Sequence, residues 1–274
     1  MLIAHLTDPH IGLDPGPLAG HIDPTPALRR ALAHVRTLRP APEVVLLTGD
    51  LSDRGRAEDY KTIRQLLNAE LPARASGGPL VLAIVGNHDL RAHARRHLGD
   101  ALPVAADAPA DLLCLHAAHG GLHFIGLDTV VAGQPHGALD AVQLDWLERQ
   151  LARCAGQPVV VLMHHPPLVT GMTKMDAYGL LHGRAELGRL IAAHGGVQLI
   201  ACGHLHRPVL GALGGAPVVV APSTSHQLDL NLQPGAALAC SLEPPMIGLY
   251  RWTLQDGMAC HFSYVTPFGA PQPV

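Results

Sequence analysis

Val44-Val45-Leu46-Leu47-Thr48-Gly49-Asp50-Leu51-Ser52-Asp53-Arg54-Gly55 joins a short apolar strand to a polar loop bounded by glycines. The apolar run is too short for a helix and is rich in β-branched and aliphatic residues, which reads as a buried strand. The same grammar recurs along the chain. Leu2 to Thr7 runs into Asp8-Pro9-His10, and Leu80 to Val85 into Gly86-Asn87-His88-Asp89. Val159 to Met163 runs into His164-His165-Pro166-Pro167, and Val197 to Cys202 into Gly203-His204-Leu205-His206. In open α/β sheets ligands bind beyond the carboxyl ends of the strands, so these five loops can converge on one point. The glycines before Asp50, Asn87 and His204 permit tight turns or close backbone approach there.

Between the strands the apolar period changes to that of helices. Thr25 as N-cap and Pro26 at the first helical position predict a helix with Ala27, Leu28, Ala31, Leu32 and Val35 inward. Further helices are predicted over 56–70, near Leu90 to Leu98, over Asp140 to Cys154 and over Arg184 to His194. In the third of these Val142, Leu144, Trp146, Leu147 and Leu151 are expected to face the core. Leu112 to His116 and Leu122 to Asp128, around His119-Gly120-Gly121, predict an antiparallel hairpin. From residue 208 only strands are predicted: Val209 to Leu213, Val218 to Ala221, Ile247 to Leu254 and Met258 to Val265. Alternating strands and helices followed by strands alone imply a mixed sheet system covered by helices, an α/β or α+β sandwich.

The loops offer two carboxylates, one amide and several imidazoles without sulfur, a set suited to iron, manganese, cobalt or zinc. A single Asp after a strand usually serves a turn, and a lone His is usually a hydrogen-bonded core or surface residue. Placement at five successive strand ends, with Asp-x-His and His-x-His pairs, is what separates a ligand set from those readings. Composition agrees. The 274 residues include 19 histidines, as many as Lys and Arg together, although charged residues are only 15%. A net charge of −3 supplies no general attraction for nucleic acid or an anionic membrane. Mean hydropathy of +0.20 with 48% hydrophobic residues supports one large core, and no apolar run approaches the roughly 18 residues of a membrane span. The N-terminus does not read as a signal peptide, and five dispersed cysteines without a Cys-x-x-Cys pair fit reduced thiols. A cytoplasmic protein is expected.

With these blocks in this order over positions 2 to 206, the chain resembles the calcineurin-like metallophosphoesterases, in particular the class III cyclic-nucleotide phosphodiesterases and the glycerophosphodiesterases. Pro9 departs from the small hydroxyl residue commoner there, without removing a ligand. The resemblance implies a four-layer αββα sandwich with a dinuclear centre between the sheets. It implies that Asp8, His10 and His206 hold one divalent ion, that Asn87, His164 and His204 hold the other, and that Asp50 bridges them. The Asp8 side should bind its ion more tightly, since Asn87 is neutral. The expected reaction is hydrolysis of a small phosphodiester by metal-bound hydroxide, with His88 contacting the phosphate or protonating the leaving alkoxide and Asp89 orienting His88.

Asn87, His88, His165 and His226 are candidate substrate contacts, and a packing role for His165 competes with that reading. Arg54, Arg91 and Arg207 could meet a phosphate or be solvated surface. His93 and His97 join Arg91, Arg95 and Arg96 on a basic helix face, expected to be solvated rather than a nucleic-acid site. Substrate choice is assigned to Leu168 to Gly183, containing Met172, Met175, Asp176 and Tyr178, and to Pro222 to Pro245. The chain is read as a single domain, 1–274, with 222–245 a cap or oligomerisation insertion. The resemblance points to a homodimer through the region after the metal motifs. A phosphomonoesterase or a nuclease on the same fold remains an alternative. In a non-catalytic scaffold such as a retromer subunit the ligands are eroded, whereas here all seven positions are filled.

Overall fold

Strand β1 (Leu2–Leu6) pairs in parallel with β2 (Val44–Thr48), which pairs in parallel with β3 (Leu80–Ile84). Two C-terminal strands, β14 (Met246–Thr253) and β15 (Gly257–Tyr264), complete this five-stranded sheet in the order β15-β14-β1-β2-β3, both antiparallel. The second sheet has six strands. Its parallel centre is formed by β5 (Leu122–Gly126), β7 (Val159–Leu162), β9 (Val197–Cys202) and β11 (Ala216–Val220). The edges, β4 (Leu115–His119) and β10 (Val209–Leu213), are antiparallel, giving the order β10-β11-β9-β7-β5-β4. The computed structural model describes residues 1–14, 20–266 and 268–269.

The buried faces dictate how the layers stack. Ile3, Leu46, Leu82 and Ile84 of the first sheet meet Phe124, Val160, Leu162 and Leu199 of the second in one apolar layer. The alternate residues Ala4, Leu6, Val45 and Leu47 face the other way, onto helices α1 (Pro24–Thr37), α2 (Ala57–Glu70) and α3 (Arg91–Leu98). Ile125, Val159, Val161 and Ile200 likewise face α4 (Ala141–Arg153) and α6 (Arg184–His194). Strands covered on both faces carry continuous apolar runs rather than an alternating pattern, which is how these runs read in the sequence. The result is an αββα sandwich, as expected.

The remaining elements lie around the carboxyl ends of the central strands. They are β6 (Gly137–Ala138), which pairs with β8 (Leu180–His182), the single turn α5 (Thr173–Asp176), and β12 (Gln227–Leu228), which pairs with β13 (Cys240–Ser241). All but β6 fall in the two stretches, 168–183 and 222–245, to which substrate choice is assigned.

Three local expectations are corrected. Helix α1 starts at Pro24 with Asp23 as N-cap, two residues before the predicted Thr25 cap, because Pro24 itself occupies the first turn where its missing N–H is no loss. The hairpin strand predicted as Leu112 to His116 lies three residues later, since Gly120 and Gly121 both take positive φ and close a tight turn directly after His119. Val142 is 61% exposed. Gln143 takes the inward position instead, its Oε1 accepting from Asp128 N and the Cys114 thiol and its Nε2 donating to Asp128 O.

Candidate metal centre

All seven proposed ligands lie at the carboxyl ends of β1, β2, β3, β7 and β9 and share one cradle. One ligand atom each from Asp8, His10 and His206 lies within 4.8 Å of the others, and the same holds for Asp8, Asp50 and His164. The Asp50 Oδ2 lies 3.7 Å from His10 Nε2 and 3.3 Å from His164 Nε2, between the two histidine groups. Asp8 Oδ1 is 3.5 Å from His206 Nε2, and Asn87 presents Oδ1 3.1 Å from His164 Nε2. Bonds of about 2.0–2.2 Å to a shared cation separate adjacent donors by about 3.0–3.5 Å, close to these spacings.

The backbone is bent to make this convergence. Six non-glycine residues among those described have positive φ, and Asp8, His10, Asp50, His204 and His206 are five of them. Such conformations cost about 1–3 kcal/mol each and persist where the surroundings over-determine them. Here parallel strands fix both ends: Asp8 N donates to Gly49 O and His10 N to Asp50 O, tying the first loop to the second. Gly203 is needed for close approach, because a Cβ there would run into Thr7 Oγ1 and lie 2.7 Å from Asp8 Oδ2.

The imidazoles are held in one tautomeric sense. Nδ1 of His10 donates to Asp53 Oδ1 (3.1 Å), that of His164 to Thr48 O (2.8 Å) and that of His206 to His226 O (2.9 Å). Each leaves its Nε2 lone pair for the centre, the arrangement usual for metal-binding histidines. The Nε2 atoms of His10 and His206 are then 3.1 Å apart with both lone pairs facing the cradle, where a cation would relieve their repulsion, and buried His204 Nε2 has no hydrogen-bond partner among the described residues.

Charge gives the same answer. Asp8 and Asp50 are almost fully buried; burial would raise their pKa values, but the facing imidazoles outweigh it and hold both carboxyls below the ordinary value. Burial disfavours charge on His164, yet Asp50 and Asp8 outweigh it and push that imidazole up to about 9. Burial pushes His204 down to about 3. Two buried carboxylates require a countercharge, and the residues present fit a divalent cation that takes the place of the proton on His164.

A chain of buried hydrogen bonds supports the cradle from between the sheets. Tyr250 Oη lies 2.6 Å from His5 Nδ1, and His5 Nε2 lies 2.7 Å from Thr48 Oγ1. Thr48 Oγ1 donates to Thr7 Oγ1, which donates to Asp8 Oδ2 at 2.7 Å. Sequence reading missed this chain, because a Thr inside a strand carries no sign of what it faces.

A cavity of about 320 Å³ opens over the cradle, lined by residues that include His88, His226, Tyr178, Met175, Leu228 and Leu238. His88 is held through Nδ1 by Asp53 O (2.8 Å), while its backbone N–H donates to Asp50 Oδ1. Burial would lower its pKa, but Asp50 and Asp53 outweigh that and raise it. His226 reaches the rim, its ring 4.6 Å from that of His206 and its Nδ1 without a partner among the described residues.

Three sequence expectations change here. Asp89 does not orient His88. Its carboxylate accepts from the N–H groups of Leu51, Ser52 and Gly86 and from Tyr60 Oη, locking the second and third loops together. Asp53 holds His88 instead. His165 is fully buried behind His164 and His204, with Nδ1 2.7 Å from Thr129 Oγ1 and Nε2 3.2 Å from Pro135 O, so it packs rather than touching substrate. Arg91 is neither solvated nor aimed at the site: its guanidinium forks onto buried Asp128. Arg207 pairs with Glu243, Arg54 lies on the surface beside Asp53, and Asp176 closes a turn through Thr170 and Gly171.

The calcineurin-like phosphoesterase pattern matches residues 1–208. A probable glycerophosphodiester phosphodiesterase of Arcobacter nitrofigilis is 32% identical over 100% of this chain and 96% of its own length. A cAMP/cGMP dual specificity phosphodiesterase of Mycobacterium tuberculosis is 33% identical over 85% of this chain and 70% of its own. Among solved structures, a dimetal phosphatase from Danio rerio shares the fold with a TM-score of 0.67 at 13% identity, covering 97% of this chain and 96% of that one. Cradle, fold and sequence agree: the chain belongs to the calcineurin-like phosphoesterase family.

Proposed function

We propose that the chain is a metal-dependent phosphodiesterase acting on a small phosphodiester, either a 3′,5′-cyclic nucleotide or a glycerophosphodiester, the substrates named for its relatives. One observation carries the reading: buried imidazole lone pairs and two ionised carboxylates converge beneath a small cavity whose described lining residues include no lysine or arginine. Positive charge for the substrate then comes from the ions, which suits the single negative charge of a diester better than the double charge of a monoester. The volume lies at the lower end of the range for small-molecule sites, against a polymeric substrate.

Asp8, His10 and His206 would hold one divalent ion (iron, manganese, zinc or cobalt), Asn87, His164 and His204 the other, with Asp50 between them. When bound, the pair supplies Lewis acidity toward a phosphoryl oxygen and toward water. The chain's own residues do the rest. Asp53 pins His10 and His88, leaving His88 Nε2 free to hand a proton to the departing alkoxide. Tyr178, Met175, Leu228 and Leu238 line the cavity and would offer an apolar wall to the alcohol moiety.

Residues 222–245 serve as a cap on a single domain, since they bring His226, Leu228 and Leu238 to the cavity. The exposed Leu230, Leu232 and Leu242 on the same segment support pairing of two copies there. Five free cysteines support a reducing, cytoplasmic setting. Among the described residues no helix is long and apolar enough to cross a membrane. Kinetics with Mn²⁺ on bis(p-nitrophenyl) phosphate, cyclic AMP, a glycerophosphodiester and a phosphomonoester test the reading. Hydrolysis of diesters, lost in Asp50→Ala, is expected; a preference for the monoester would replace diester by monoester hydrolysis.

A further inference from the structure

A second group of ligand-type side chains lies on the outer face of the second sheet. His116 on β4 and His123 on β5 are diagonal neighbours across the hairpin, and Cys154 ends α4 above them. One donor atom from each lies within 4.8 Å of the other two. His116 Nε2 is 3.1 Å from His123 Nδ1 and 3.5 Å from Cys154 Sγ. The thiol is fully buried, while the imidazoles are partly open to solvent.

The outer hydrogen bonds decide where the ring protons sit. His116 Nδ1 lies 2.9 Å from Gln150 Oε1. That amide cannot be turned round, because its Nε2 donates to Asp107 Oδ2 (3.0 Å) and its Oε1 accepts from Arg153 (3.1 Å). His116 therefore donates through Nδ1 and carries a bare lone pair on Nε2. His123 Nε2 lies 2.8 Å from Gln157 Oε1; with that amide so placed, His123 donates outward and turns an unprotonated Nδ1 inward. Two lone pairs 3.1 Å apart repel unless a positive charge lies between them.

We propose that His116, His123 and Cys154 form a zinc-binding site independent of the catalytic centre. Tetrahedral zinc with bonds of about 2.0–2.1 Å to nitrogen and 2.3 Å to sulfur separates two nitrogens by about 3.3 Å and nitrogen from sulfur by about 3.6 Å. The observed 3.1 and 3.5 Å match both. Two imidazoles with one thiolate favour zinc over magnesium, calcium or manganese, and the Gln150–Asp107–Arg153 network supplies the outer contacts that orient a ligating imidazole. Binding displaces the thiol proton to solvent as the zinc–sulfur bond forms, so affinity rises with pH. The fourth position is left to water. Such an ion would fasten the hairpin at the β4 end of the sheet to the end of α4.

Cobalt(II) is a probe that separates the two centres, because the catalytic cradle contains no sulfur. Titration of the full chain with Co²⁺ is expected to produce a thiolate-to-cobalt charge-transfer band in the near ultraviolet, saturating at one equivalent of that site per chain. Cys154→Ser should lose the band and one equivalent of bound cobalt. His123→Ala, at a partly exposed position, should weaken binding by at least about tenfold and guards against a misfolded Cys154 variant. Both should hydrolyse bis(p-nitrophenyl) phosphate within about twofold of the parent. Absence of the band in excess cobalt, as expected if the imidazoles share a proton instead, overturns the proposal; so does a band that survives Cys154→Ser.

Discussion

The cradle and the His116–His123–Cys154 cluster both gather imidazoles with their protons turned outward, but they are built differently. In the cradle five ligand positions carry left-handed backbone, at the ends of strands from both sheets. The outer cluster uses two residues of an ordinary antiparallel hairpin and a helix C-cap, and none of its three residues has positive φ. Cradle donors are oxygen and nitrogen beside a cavity; the cluster adds sulfur and a hydrogen-bonded glutamine shell. Where two buried carboxylates must stand close together and remain reachable, the backbone is strained and locked by neighbouring loops. A site that only fastens a hairpin to a helix can be assembled from relaxed elements.

Removing the shared carboxylate should give the largest effect. Asp50→Ala is expected to lower metal-dependent diester hydrolysis by about 10³-fold or more, since Lewis-acid catalysis supplies several kcal/mol, and to reduce bound manganese measured by elemental analysis. Retention of both activity and metal would erase the distinction between the regions. His88→Ala should lower kcat by about 10²-fold or more with metal content unchanged. A loss under tenfold would show that His88 transfers no proton.

The relay behind the cradle gives a prediction in pH. His5 is fully buried, and burial lowers its pKa to about 3, against 6.5 in an exposed histidine, although Asp8 pulls the other way. Its contribution to stability is complete above pH 6.5 and is lost as pH falls, because the unfolded chain then binds a proton that the folded chain refuses. Between pH 7 and pH 4 this amounts to about 3 kcal/mol. Urea midpoints for His5→Gln should therefore fall less steeply across that range than those of the parent; parallel curves would show that His5 does not remain neutral. The smallest effect belongs to the outer cluster. Cys154→Ser should change diester hydrolysis by less than about twofold, and a larger change would show the regions to be coupled.

Five strand-end motifs were legible because parallel strands bury both faces, leaving their polar termini conspicuous in sequence. The candidate ligands Asp8, His10, Asp50, Asn87, His164, His204 and His206 stand in those motifs, the family resemblance singled them out there, and they converge in space. Partners one layer further out were not legible. Asp89 and Asp53 sit in equally polar loops, and only the crossing of those loops decides that Asp89 ties backbones while Asp53 holds His88. His165 read as either a substrate contact or a packing residue, and its inward bonds to Thr129 and Pro135 decide for packing.

By itself, then, the sequence determined the layer architecture and which side chains are chemically able to bind an ion, because apolar period and residue type are local properties. Tertiary structure alone decided which nitrogen of each histidine faces inward, which carboxylates remain charged, and that His116, His123 and Cys154 meet at all. Those outcomes depend on hydrogen-bond acceptors and donors brought from distant parts of the chain, and no local pattern encodes which distant partner will arrive.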